Sequence, residues 1–164
     1  MERLIIDLRD NPGGLLNSVC DILRNILPEG LIVYTEDKYG YRTEETCDGQ
    51  HPLSLPLAVL VNESSASASE IFAGAVQDYG IGTIVGTTTY GKGIVQSIRQ
   101  LGDGSAVKLT VSNYYTPDGN NIHQTGIKPD IEVKLDVSLL NKEEFSHEED
   151  NQLQEAIKAV KNTM

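Results

Sequence analysis

The sequence predicts an α/β fold, because short apolar strands alternate with amphipathic helices along its first half. Three apolar segments predict strands at residues 4–8, 57–61 and 82–86. Turn-forming residues and helical apolar spacing follow the first two of these strands. The order strand, helix, strand, helix, strand favours parallel pairing in one sheet.

The first helix follows a turn-rich loop at residues 10–14. Apolar residues then recur at helical spacing from Leu15 to Leu27, which predicts an amphipathic helix with Cys20 on its apolar face. Pro28 and Gly30 predict the end of that helix.

A β-hairpin is predicted next, with strands at residues 31–34 and 41–43 around a Lys-Tyr-Gly turn. Residues 44–56 are predicted to form a loop that contains Cys47. A disulfide between Cys47 and Cys20 is left open, because spacing alone does not establish a pairing.

After the second predicted strand, a helix carries apolar residues from Ile71 to Val76 and ends near Gly80. In the second half of the chain, residues 93–98 and 106–111 flank a Gly-Asp-Gly turn and predict another hairpin. Asp150 is the expected N-cap of a last short helix. The apolar stripe expected on that helix comprises Leu153, Ile157 and Val160.

Composition narrows the possible functions. The chain has 164 residues, 39% of them hydrophobic, so it fits one domain over residues 1–164, with an acidic segment and the last helix at 136–164. A net charge of −11 disfavours nucleic acid and anionic membranes as partners, because both need a basic face. The histidines are scattered and the cysteines lie outside any zinc-like cluster, so no metal is expected. No apolar run is long enough to span a membrane.

Four serines crowd the junction between the second strand and its helix, at Ser64, Ser65, Ser67 and Ser69. Such turns present nucleophiles in α/β enzymes, and a helix N-terminus favours negative charge beside them. An ordinary serine N-cap explains the same pattern, so the residues alone leave both interpretations open.

Lys92 lies between two glycines, whereas His51, His123 and His147 lie outside small-residue or glycine-rich loops. Close packing there would disfavour the charged amine, and a neutral lysine can accept a serine proton. A solvent-exposed lysine in a flexible turn fits the same residues. The loops after the three parallel strands should emerge at one end of the sheet, which predicts an α/β enzyme with a Ser–Lys hydrolase as one option.

Four segments resemble, in family order, signatures of the carboxy-terminal processing (tail-specific) peptidases. They lie at Asp7–Gly14, Val61–Ile71 and Gly86–Gln96, and the fourth comprises Tyr115–Gly119 followed by Gly126–Asp130. The resemblance implies a serine peptidase with a Ser–Lys dyad and the Clp protease and crotonase fold, a spiral of ββα-type units. No cofactor is implied.

The resemblance also implies roles for single residues. It puts the nucleophile on Ser67, the general base on Lys92 and a supporting glutamine on Gln96, four positions along a strand. The pleat would then point Lys92 and Gln96 to the same side. Asp78 matches an acidic position with a supporting role.

The oxyanion-hole positions of the family match Gly13 and the backbone of Ala68, with Gly14 close by. A glycine in that loop could equally serve only as a connection between strand and helix. Protein substrates, unfolded or with an exposed tail, are the expected partners.

Family members usually carry a PDZ domain, and a strand and a helix before the first signature, for which this chain has no segment. We therefore expect a truncated core of a longer protein that acts outside the cytoplasm. Its exposed sheet edge could pair with a second copy, and a concentration-independent monomer mass in light scattering would contradict such a homodimer. A non-catalytic module for apolar ligands and an inactive fragment of a peptidase are the alternatives.

Overall fold

The computed structural model of the chain describes residues 1–140, 142 and 144–162. Glu143, part of the predicted acidic segment, lies outside these residues. The elements in the described part are β1 (Leu4–Asp7), α1 (Leu16–Leu23), β2 (Gly30–Asp37), β3 (Arg42–Cys47), β4 (Leu57–Val61), α2 (Ala68–Asp78), β5 (Thr83–Gly86), β6 (Ile94–Gln100), β7 (Ala106–Tyr115), β8 (Ile131–Glu132) and α3 (Asn151–Asn162).

The first sheet is parallel and has the order β1-β4-β5-β8. The parallel pairing of the three predicted strands is therefore confirmed. Its central strand β4 is buried at all five positions. Val59 and Val61 belong to one hydrophobic core and Ala58 and Leu60 to another, because alternate side chains point to opposite faces of the sheet.

The second sheet is antiparallel and has the order β3-β2-β7-β6. Both predicted hairpins, β2–β3 and β6–β7, are present in it. The prediction of a loop from residue 44 onward is wrong for 44–47, because β3 continues to Cys47, which pairs with Gly30. Pairing with β2 overrides the polar composition of this segment and buries Cys47.

Helix α1 ends at Leu23, four residues before the predicted end. The chain then tightens into a turn in which the Asn25 amide donates to the Ile22 carbonyl oxygen over 3.0 Å. Ile26 and Leu27 extend the apolar pattern because they pack into the same core as the helix. Cys20 is fully buried as expected, and both cysteines are free thiols.

Two hydrophobic cores fill the molecule. The larger core lies under α1 and α2 and includes residues of β2, β4, β5 and β7. The smaller core lies between the parallel sheet and α3. α2 follows β4 through the short serine-rich turn, so the N-terminus of α2 lies near the carboxyl end of β4.

Asp150 is the N-cap of α3, as predicted. Its Oδ1 accepts hydrogen bonds from the amides of Gln152 and Leu153, over 3.1 and 3.0 Å. The buried face of the helix differs from the prediction, since Gln152 and Ala156 are buried with Val160. Gln152 occupies this face because its side chain accepts a hydrogen bond from Arg9 and donates one to the Val133 carbonyl oxygen.

Arg9 connects α3 to the end of β1. Its Nη2 donates to Oδ2 of Asp150 over 2.8 Å and to Oδ2 of Asp7 over 2.6 Å. Burial alone would raise the pKa of Asp150, but hydrogen bonds from Arg9 and from the α3 amides lower that pKa below its ordinary value.

Within the described residues, no helix is long and apolar enough to cross a membrane. β1 and β8 are the outer strands of the parallel sheet. The homodimer expected through a sheet edge stays a prediction.

Replacing Asp150 by Asn should lower stability at pH 7 by about 2 kcal/mol, because the Arg9 guanidinium loses a buried carboxylate partner. A carboxyl group with a depressed pKa stabilises the fold above its unfolded pKa of about 3.9 and loses that contribution as the pH falls through its folded pKa. The difference between Asp150→Asn and the parent chain should therefore shrink below about pH 4. Thermal melts from pH 7 to pH 3 measure it, and a constant difference would contradict the assignment.

Candidate active site

Ser67 occupies a strained turn between β4 and α2. Its backbone has φ 58° and ψ −116°, a conformation that non-glycine residues rarely adopt and that costs about 1–3 kcal/mol. The turn is held in place because the Ser67 amide donates to Oε2 of Glu70 over 2.8 Å and the Ala66 amide donates to the Asn11 carbonyl oxygen over 3.0 Å. A serine on such a strand-to-helix turn is presented toward the end of the sheet.

The neighbouring serines differ from Ser67 in their surroundings. Ser65 is fully buried, and its hydroxyl donates to the Leu8 carbonyl oxygen over 2.7 Å. Ser69 is also buried and donates to the Asn11 carbonyl oxygen over 3.1 Å. Both hydroxyls therefore tie the loop after β1 to the loop after β4. Ser64 is exposed, and Ser67 is half-buried.

Lys92 lies in the loop between β5 and β6, and both flanking glycines are anchored. The Gly91 carbonyl oxygen accepts from the Gln124 amide, and the Gly93 carbonyl oxygen accepts from the Tyr114 amide, each over 2.8 Å. A Cβ atom at Gly93 would collide with the backbone of residue 123. The expectation that these glycines allow close backbone packing is confirmed, and Lys92 itself is half-buried.

The carboxylate of Glu70 joins the serine and lysine loops. Its Oε2 accepts hydrogen bonds from the amides of Ser67 and Lys92, each over 2.8 Å. Its Oε1 accepts from the Gly91 amide and from the Thr89 hydroxyl, each over 2.6 Å. Since both amide nitrogens lie 2.8 Å from one oxygen, Ser67 N and Lys92 N are at most twice that distance, 5.6 Å, apart.

Glu70 is fully buried, and no Lys or Arg among the described residues forms an ion pair with it. A buried carboxylate needs several hydrogen bonds in place of water, and the four donors supply them. Its position in the first turn of α2 is favourable as well, because the helix dipole stabilises negative charge there. Sequence reasoning missed this residue, although a serine followed three positions later by glutamate is the pattern of a capping box.

Gly13 packs directly against the serine turn. Its φ is +94°, and a Cβ atom there would lie only 2.8 Å from the Ala68 nitrogen and 3.0 Å from Ser67 Cβ. Glycine is therefore required by both conformation and space. The Gly13 amide donates to Oδ1 of Asn11 over 2.9 Å, so it is already engaged.

The other two expected oxyanion donors have unengaged amides. No described residue accepts a hydrogen bond from the amide of Ala68 or of Gly14. Ala68 is the first residue of α2, where amides have no partner inside the helix. Both amides are therefore free donors, and that of Ala68 follows Ser67 directly in the chain.

A cavity of about 290 Å³ opens beside these amides and is bordered by Gly13, Gly14 and Ala68. Its walls are mostly apolar and come from β1, α1 and α2. The apolar wall residues include Ile6, Leu8, Leu15, Val19, Ile22 and Phe72. Such a cavity suits an apolar side chain or another small apolar group.

Gln96 and Asp78 are not brought to the serine turn by hydrogen bonds. Gln96 is exposed on β6, and the register irregularity beside it leaves Val111 of the partner strand β7 unpaired, so the alignment of Gln96 with Lys92 stays a prediction. Asp78 lies at the opposite end of α2, about 15 Å along the helix from its first residue. There its Oδ2 accepts a hydrogen bond from the Asp118 amide over 2.9 Å.

His123 is closer to the lysine loop than sequence reasoning suggested. Its backbone packs on Gly93, next to Lys92. Its Nδ1 is buried, and no described residue offers it a hydrogen bond. The contact joins residues 30 positions apart, and no local pattern in the sequence indicates it.

A parallel sheet, a serine on a strained turn and a free amide at the adjacent helix N-terminus are features of the serine hydrolase class. The sequence pattern of peptidase family S41 matches residues 1–133. The carboxyl-terminal-processing protease of Synechocystis sp. is 49% identical over 130 residues, which are 79% of this chain and 30% of that protein. That of Picosynechococcus sp. is 46% identical over 129 residues, with shares of 79% and 31%.

Solved structures agree with this result. The photosystem II D1 C-terminal processing protease superposes with a TM-score of 0.77 at 39% identity, over 82% of this chain and 35% of that one. The tricorn protease superposes with a TM-score of 0.64 at 22% identity, over 98% of this chain and 15% of that one, which shows a shared fold alone. The chain belongs to peptidase family S41, and it spans about a third of the length of the relatives it matches.

Replacing Glu70 by Gln should lower stability by about 3 kcal/mol, because an amide group turns its NH2 toward hydrogen-bond donors that the carboxylate now accepts from. Glu63→Gln is the matched control, since Glu63 is exposed on the loop before α2 and, among the described residues, accepts only from the Thr87 hydroxyl. It should change stability by less than about 0.5 kcal/mol. Urea unfolding of both variants measures this, and equal effects would contradict the structural role of Glu70.

Proposed function

We propose that this chain is the catalytic core of a serine endopeptidase in which Ser67 is the nucleophile and Lys92 the general base. The observation that carries the proposal is the pair of hydrogen bonds to Oε2 of Glu70, which fixes the backbone of both residues within reach of each other. A lysine side chain extends about 6 Å from its Cα, a length comparable with the upper limit of 5.6 Å between the two backbone nitrogens.

In the proposed reaction, neutral Lys92 takes the proton of the Ser67 hydroxyl as its oxygen forms a bond with a substrate carbonyl carbon. The carbonyl oxygen becomes an oxyanion. Lys92 then gives its proton to the leaving amine as the peptide bond breaks, which leaves an ester on Ser67. Lys92 next takes a proton from water, which attacks the ester, and returns a proton to Ser67 as the acid product departs.

The amide of Ala68 is the best-placed donor for the oxyanion, because it is unengaged and follows Ser67 directly. The amide of Gly14 is the second unengaged donor. Gly13 can donate only if its hydrogen bond to Asn11 is released, so its main contribution in this arrangement is to let the loop lie against the serine turn. Supporting roles for Gln96 and Asp78 stay predictions.

The names of the matched relatives refer to processing at a carboxyl terminus. We propose the same for this chain, with unfolded or tail-exposed proteins as substrates and a site of action outside the cytoplasm. The apolar cavity beside Gly13 and Ala68 supports the binding of an uncharged side chain next to the reacting carbonyl.

A second candidate function is a non-catalytic binding module, and the same apolar cavity favours it. In that case the chain would bind an apolar molecule without any reactive serine. An inactive peptidase fragment is the third outcome, because a positioning error of about 1 Å can lower a rate about 100-fold.

The test is cleavage of an unfolded protein by the parent chain and by Ser67→Ala and Lys92→Ala, with products identified by mass spectrometry. Each substitution should reduce cleavage by at least about 10³-fold, since each removes a group needed to form the acyl ester. Ser64→Ala and Lys128→Ala are controls of the same residue types outside the serine and lysine positions, and they should cleave like the parent.

Cleavage that persists in Ser67→Ala or Lys92→Ala would contradict the proposal. If nothing cleaves, the assay is repeated with a longer chain that adds the part of the relatives' length outside the match. Recovery would assign the loss to truncation, whereas continued inactivity together with binding of an apolar molecule would favour the binding module.

A further inference from the structure

We propose that Arg9 and Asp150 are positioning residues that couple helix α3 to the glycine loop (residues 10–14) and so align the oxyanion donors beside Ser67. The inference rests on the proposed peptidase function. It adds a role for the C-terminal helix, which lies beyond the residues 1–133 that match the family.

Arg9 and Asp150 form a bidentate ion pair. Nη1 and Nη2 of Arg9 donate to Oδ1 and Oδ2 of Asp150 over 3.1 and 2.8 Å. Their side chains retain only 15% and 4% of their exposure. Two parallel hydrogen bonds between planar groups fix orientation as well as distance, which a single contact does not.

Further contacts hold the guanidinium on both sides. Nη1 also donates to Oε1 of Gln152 over 3.0 Å, and Nε donates to Oδ1 of Asp7 over 3.0 Å. Asp7 is the last residue of β1, and Gln152 lies in the first turn of α3. Arg9 therefore connects the end of a sheet strand to the start of the helix, and its own backbone leads directly into the glycine loop.

Hydrogen bonds connect the glycine loop to the serine turn. Asp10, which has φ 57°, receives its support from Asn62, whose Oδ1 accepts from the Asp10 amide over 3.0 Å. The next carbonyl oxygen, of Asn11, accepts from the Ala66 amide and from the Ser69 hydroxyl, over 3.0 and 3.1 Å. Ala66 and Ser69 flank Ser67 and Ala68 in sequence.

Beyond Gly13, which packs on the serine turn, the glycine loop has little support of its own. Gly14 has no atom near the position where a Cβ would lie, and Leu15 is 75% exposed. The placement of Gly14 thus depends on residues that precede it in the chain, Arg9 and Asn11. Because a shift of about 1 Å at catalytic groups lowers a rate about 100-fold, the anchor of Arg9 on α3 affects turnover although neither residue touches the substrate.

Asp150→Asn separates this role from the folding of α3. Asn is as good an N-cap as Asp, and its Oδ1 can still accept from the Gln152 and Leu153 amides. Its NH2 group meets Nη2 of Arg9 donor to donor, so the charge and the bidentate geometry of the pair are lost, although Oδ1 can still accept from Nη1. The matched control is Glu155→Gln, which removes a carboxylate from the same helix that is paired only with the exposed Lys158.

The experiment measures kcat and KM on an unfolded protein substrate well below the melting temperature. Active sites are counted by complete reaction with a fluorophosphonate, so that unfolded molecules do not enter kcat. Asp150→Asn should lower kcat per counted site about tenfold and change KM less than about twofold, because loop misplacement weakens the transition state more than substrate binding. Glu155→Gln should change neither constant.

Arg9→Lys is the second variant, and it decides the question if Asp150→Asn does not fold. Lysine keeps the charge but cannot form the bidentate pair, so this substitution should also lower kcat per counted site. Unchanged kcat in a folded variant of either residue would overturn the coupling, as would an equal loss in Glu155→Gln. Absence of cleavage by the parent chain and also by the longer chain would contradict the proposed function itself and this inference with it.

Discussion

The buried carboxylate of Glu70 is the interaction on which the rest of the site depends. One side chain accepts hydrogen bonds from the serine turn and from the lysine loop, which are 25 positions apart in the chain. A buried anion without a cation is stable only while its donors stay in place, so the carboxylate and the two loops stabilise each other. The strained backbone of Ser67 persists because its amide is one of those donors.

The parallel sheet brings these loops together before any side chain acts. β1, β4 and β5 run in the same direction, so the glycine loop, the serine turn and the lysine loop all follow the carboxyl ends of these strands. The two faces of β4 pack on different helices. One face packs on α2, which supplies the helix N-terminus at Ser67, and the other packs on α3, which holds Arg9.

Much of this could be predicted from the sequence, because apolar runs identify β4 and β5, and Asp150 has the chemistry of an N-cap. Features set by distant pairing could not be predicted. β3 reaches Cys47 only because β2 pairs with it, and α1 ends early although its apolar spacing continues. Whether a glutamate such as Glu70 is solvated or buried depends on a loop 20 residues away.

Mapping a fluorophosphonate adduct by peptide mass spectrometry identifies the reactive serine. It thereby tests whether the strained turn and the Glu70 carboxylate make one serine reactive beside Lys92. We expect an adduct on Ser67 alone, and much slower labelling in Lys92→Ala, which lacks the base. An adduct on Ser64, Ser65 or Ser69, or labelling of Ser67 at an undiminished rate without Lys92, would contradict it.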